Sequence, residues 1–157
     1  MKYRRLTLDE LTPLENELKQ FLIVHGVHSE EWAKMNTDDP SSAQKLVELF
    51  SDTVLQKVYE NIQYLEHRSQ NTCMVFRCQA EHIELVVLRA KDSSAIDLST
   101  PESIHEALIN QLSNVEFFAS SRRYAIEREM EIHQLFEQGC LLSTGEFWQQ
   151  VQVIVRD

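Results

Sequence analysis

Apolar residues recur first at helical spacing and later at alternate positions, and the change of period divides the chain. Thr12-Pro13-Leu14-Glu15 combines a capping hydroxyl, a proline at the first helical position and a glutamate able to reach back. Leu14, Leu18, Phe21, Leu22 and His25 then follow on one helical face, and Gly26 predicts the stop. Ser29, Glu30 and Glu31 start a shorter helical piece through Trp32 and Met35. Asp39-Pro40 opens the longest element, whose stripe Ala43, Leu46, Val47, Phe50, Val54, Val58, Ile62 (or its neighbour Asn61) and Leu65 keeps a period of 3.6.

At Glu66-His67-Arg68-Ser69-Gln70-Asn71 the period falls to two, which places the helix-to-sheet junction there. Residues 72–79 and 82–90 are rich in β-branched and apolar side chains and only Ala80-Glu81 or a similar tight pair separates them, so a β-hairpin is predicted. Residues 91–94 read as a loop. Thr100-Pro101-Glu102-Ser103 starts another helix through Ile104, Leu108, Ile109 and Leu112, and residues 115–119 supply a third strand. The intervening helix would be a right-handed crossover if those strands were parallel. Residues 123–138 read as a helix ended by Gly139, and Ser143-Thr144-Gly145-Glu146 resembles a capping box. For residues 147–155 helix and strand both stay open, because Val151-Gln152-Val153-Ile154-Val155 also alternates. The expectation is α+β: one helix-dominated domain over residues 1–157, with a small antiparallel or mixed sheet of about three strands.

Composition narrows the function classes more than it names one. The 157 residues, 43% apolar and 25% charged, suit one globular core. The net charge of -10 is shared by both halves, 8 basic against 12 acidic residues in 1–70 and 7 against 13 in 71–157. An evenly acidic chain lacks the phosphate-neutralising surface that nucleic-acid binding uses, so that partner class is disfavoured; only Arg4, Arg5, Arg122 and Arg123 would serve it. Three glycines (Gly26, Gly139, Gly145) lie too far apart for a phosphate-cradling loop, and no nucleophile elbow is present. The basic N-terminus has no apolar run behind it, and no window approaches a membrane span. An odd set of cysteines, Cys73, Cys78 and Cys140, fits a reducing compartment, so a cytoplasmic location is expected.

Four stretches carry a resemblance: Met1-Lys2-Tyr3-Arg4-Arg5-Leu6-Thr7, Glu48-Leu49-Phe50-Ser51-Asp52, Tyr64-Leu65-Glu66-His67-Arg68, and Arg128-Glu129-Met130-Glu131-Ile132-His133 through Glu137-Gln138-Gly139-Cys140. Together they resemble a small family of uncharacterised bacterial proteins of unknown function over nearly the whole chain. That resemblance implies no activity, and no site residue follows from it.

The residues themselves offer several constellations. Glu66, His67 and Arg68 would supply an acid, a base and an anion holder at the junction; their structural alternative has His67 or Arg68 capping the end of the long helix. Cys78, His82 and Glu84 would make a nucleophile, base and orienting carboxylate across the hairpin turn, against inert cysteines among apolar neighbours. His25, His28, Glu30 and Glu31, or Glu129, His133 and Cys140, are of metal-ligating type but lack a zinc signature, so no metal and no cofactor is expected. Arg122, Arg123 and Arg128 with Glu127, Glu129 and Glu131 form a charge run, either a solvated helix face or a strip for a partner. Tyr124, Phe147, Trp148 and Trp32 are aromatics that helical periodicity does not assign to the core; Tyr124, Phe147 and Trp148 with Arg122 and Arg123 form the candidate interface, including self-association as a homodimer. The first functional expectation is a non-catalytic interaction or scaffold module; the alternative is a small enzyme or ligand-binding protein using Glu66, His67 and Arg68.

Overall fold

The computed structural model describes residues 1–91 and 95–156. The chain divides into two compact units, Met1–Glu60 and Asn61–Asp157. The α+β class holds, but among the described residues the sheet has five strands, all paired antiparallel, in place of the three expected.

The first unit is helical. Helix α1 (Leu8–Leu11) begins at a reciprocal capping box between Thr7 and Glu10, and a 3₁₀ turn at Thr12–Leu14 leads into α2 (Glu15–Val24). Helices α3 (Ser29–Asp38) and α4 (Pro40–Glu60) follow. The N-terminal residues lie along α4: Lys2 and Tyr3 donate their amides to the Asp52 carboxylate at 2.6 and 2.8 Å, and Leu6 donates to the Ser51 hydroxyl at 3.0 Å. Tyr3 meets Tyr59 edge-on, with ring centroids 5.0 Å apart. This segment explains why Leu55 and Tyr59 are buried while Val58, a member of the expected stripe, is exposed. A stripe predicted from one helix cannot know which flank another segment will cover. Helix α4 also stops at Glu60, short of Leu65.

The second unit is built on the sheet. Strands β1 (Tyr64–Arg68), β2 (Thr72–Cys78), β3 (His82–Ala90), β4 (Val115–Arg123) and β5 (Leu141–Leu142) run in the order β4-β3-β2-β1-β5. The hairpin of β2 and β3 turns at the expected place, with Cys78 opposite Ile83. Strand β1 occupies the stretch expected to be a junction, and β5 is too short to announce itself by alternation. Strand β4 continues to Arg123, so the charge run begins in a strand and α6 starts only at Arg128 (Arg128–Glu137). Because β3 and β4 are antiparallel neighbours, α5 (Pro101–Asn110) links them without any crossover handedness. The open segment resolves as α7 (Gly145–Arg156). Of the expected loop, residues 92–94 lie outside the described residues.

Alternation gives the sheet two faces. Cys73, Val75, Val86, Leu88 and Val115 pack with Ile104 and Ala107 of α5 and with Trp148 and Val151 of α7 in one core. Through the β1–β2 register, Glu66 lies opposite Val75 and Arg68 opposite Cys73, so both side chains share that face.

Candidate functional site

On a strand, residues two apart point the same way, and this brings Glu66 and Arg68 together. Arg68 Nε donates to Glu66 Oε2. The Glu66 residue is 7% exposed, and the Arg68 side chain keeps 22% of its surface. The terminal amino groups of Arg68 have no further partner among the described residues. Arg68 and Glu66 both line a pocket of about 260 Å³, together with Pro101, Ile104, His105, Leu108, Thr144, Phe147 and Gln150.

Two helix starts form the rim. Thr100 caps α5, accepting from the Ser103 amide at 3.1 Å, with Pro101 in the first turn. Thr144 accepts from the Phe147 amide at 3.2 Å at the start of α7. Both helices thus present their N-terminal ends, each carrying partial positive charge, on the side where the Arg68 guanidinium lies. Ile104, Leu108 and Phe147 supply apolar wall, and His105 is exposed at the rim. The pocket is suited to a compact ligand with an anionic head and an apolar body.

His67 points to the opposite face, with its Nε2 3.3 Å from where a Cβ at Gly139 would stand. The expected triplet is therefore split across the two faces of the sheet. Cys78, His82 and Glu84 are also separated: Cys78 shares a face with Ile83, whereas His82 and Glu84 alternate to the other. Burial pushes the Cys78 and Cys140 thiols up to about 11 and Cys73 to about 12, so none is a ready nucleophile.

The charge run and aromatics separate into two places. Arg122 pairs with the buried Glu131 at 2.9 Å, and the same carboxylate accepts from the Ala125 amide. The Tyr124 hydroxyl donates to the Gln79 carbonyl at 2.8 Å, and burial raises its pKa to about 12. Arg128 donates to the carbonyls of Ile62, Cys78 and Gln79. Arg123 is exposed, 3.8 Å from Glu81. Phe147 lines the pocket on α7, and Trp148, 1% exposed, lies in the core beneath. Arg4 and Arg5 pair with Glu10 and Glu48 inside the first unit. Among the described residues no group of three or more His, Cys, Asp or Glu is placed to hold a metal ion, and no helix is long and apolar enough to cross a membrane.

Nothing in the sequence marks His105, Thr144 or Gln150 as site residues. Thr100-Pro101 and Ser143-Thr144 did signal helix starts, but only the sheet brings those starts beside Arg68.

The second unit is thus an antiparallel sheet with two helices on one face and a pocket of mixed polar and apolar lining between them. The chain belongs to the family of unknown function DUF6495, whose model matches residues 1–156. Searches of curated proteins and of solved structures give no match.

Proposed function

We propose that this protein binds a small organic anion in the pocket formed by β1, α5 and α7. One observation carries the reading: a largely buried Arg68 lines a pocket edged by two helix N-termini and spends only Nε on Glu66. An arginine fork matches a carboxylate or phosphate in two parallel hydrogen bonds. Glu66 holds the guanidinium plane in position and balances its charge before a ligand arrives. The apolar wall then selects by shape.

Thermal unfolding in the presence of inorganic phosphate and a panel of small mono- and dicarboxylates tests the proposal. A ligand at ten times its Kd adds about 1.4 kcal/mol, which at this chain length raises Tm by roughly 3–5 °C. The expected result is a saturable rise with at least one panel member in the wild type, much reduced in Arg68→Lys, which keeps the charge and loses the fork. No saturable rise with any member, or an equal rise in Arg68→Lys, overturns it.

A further inference from the structure

Strand β4 is a sheet edge, and its nine residues pair with β3 without interruption from Val115 opposite Ala90 to Arg123 opposite His82. No proline or glycine breaks it, and Phe118 to Arg123 are exposed. Natural edges of this length are commonly shortened, bulged or covered, because the outward N–H and C=O groups form a template for another strand. We infer that β4 pairs antiparallel with β4 of a second copy about a two-fold axis at Ala119, joining two five-stranded sheets into one.

The charge pattern selects this partner. A two-fold through Ala119, the midpoint of the strand, sets Glu116 opposite Arg122 of the second copy, twice per dimer, and Phe117 opposite Ser121. Within each chain Arg89 already holds Glu116 at 2.7 Å and Arg122 holds Glu131 at 2.9 Å. Glu116 and Arg122 occupy the same sheet face, so pairing would extend these into a row of alternating sign: Arg89, Glu116, then Arg122 and Glu131 of the second copy. Opposite charges directly across a ladder favour pairing, and like charges oppose it. An isologous contact of this kind closes as a dimer and leaves no edge for further growth on that side.

The register makes a sharp test. With the axis at residue 119, Ala119→Cys brings two thiols directly opposite, within the Cα separation a disulfide spans. Ser121→Cys places its two thiols roughly 13 Å apart along the strands. The native cysteines are all buried and add little background. The expected results are a light-scattering mass twice the 18.4 kDa of the chain, rapid oxidative cross-linking of Ala119→Cys but not Ser121→Cys, and a monomer mass for Ala119→Lys with an unchanged circular dichroism spectrum. A monomer mass for the wild type at tens of micromolar overturns the inference. So does a dimer in which Ala119→Cys cross-links no faster than Ser121→Cys, which would put the contact elsewhere. Neither result bears on the anion pocket, whose lining residues are all outside β4.

Discussion

Arg68 reaches back along its own strand to hold the Glu66 carboxylate, two residues away, on the face of the sheet covered by α5 and α7. The arrangement exists because the segment is a strand; on a helix the same two side chains would point about 200° apart. Removing one partner of a buried pair strands the other charge, at a cost of about 3–5 kcal/mol. Arg68→Ala should therefore lower stability by about 3 kcal/mol, the lower end, because the guanidinium keeps some water. Glu66→Gln, which retains an acceptor, should lose about 1–2 kcal/mol. Urea unfolding of the two single variants and the double variant checks both, and additive losses would show that the pair is not coupled.

Arg128 acts as a clasp. Its guanidinium serves the carbonyls of Ile62, Cys78 and Gln79, joining the start of α6 to chain segments on either side of β1 and β2. Each buried acceptor left unpaired costs about 1–3 kcal/mol. Arg128→Ala is expected to destabilise by at least about 3 kcal/mol, and Arg128→Lys to recover only part, since one ammonium cannot reproduce the planar fork. Denaturant midpoints of the three proteins decide this.

The capping box at Thr7 carries a pH signature. The Arg4 guanidinium, bonded to Glu10 at 2.7 and 2.8 Å, and the Thr7 amide hold the Glu10 carboxyl at about 2, below its ordinary 4.5. A depressed folded pKa adds stability that is fully present above about 4.5 and lost as pH falls toward 2. The pair is partly exposed, so its contribution is no more than about 1 kcal/mol. Glu10→Gln should be less stable than wild type at pH 7, with the gap narrowing below pH 4.5. A gap that is constant from pH 7 to pH 2.5 would contradict the assignment.

Burial of all three cysteines, with their thiols raised to about 11 or 12, predicts slow chemistry in the folded state. An aromatic disulfide reagent at pH 8 should titrate essentially no thiol in the native protein within minutes and three in denaturant. A fast native thiol would place at least one cysteine at the surface.

Two glycines with positive φ separate backbone strain from crowding. Gly26 has φ 80° and open space where a Cβ would stand, whereas Gly139 has φ 102° and His67 Nε2 at 3.3 Å from that point. Gly26→Ala should cost about 1 kcal/mol from conformation alone. Gly139→Ala should cost more, and pairing it with His67→Ala should return the excess; thermal unfolding of the three variants measures this.

Local signals determined much of the element list. Thr100-Pro101 and Ser143-Thr144 mark real helix starts, Gly26 and Gly139 mark real stops, and the Ala80-Glu81 turn sets the β2–β3 hairpin, because capping, left-handed backbone and alternation act within a few residues. Glu66 and Arg68 are legible as candidate residues, but their stretch reads as a junction where the structure has strand β1. Five residues of β1 follow a long helix, and a period of two needs more length than that to stand out. The two-residue β5, the four residues that carry β4 from Ala119 on to Arg123, and the helical state of residues 147–155 were decided by pairing and packing across the fold. So was the site: Arg68, His105 and Gln150 are far apart in the chain, and only the sheet register and the packing of α5 and α7 against it bring them to one pocket.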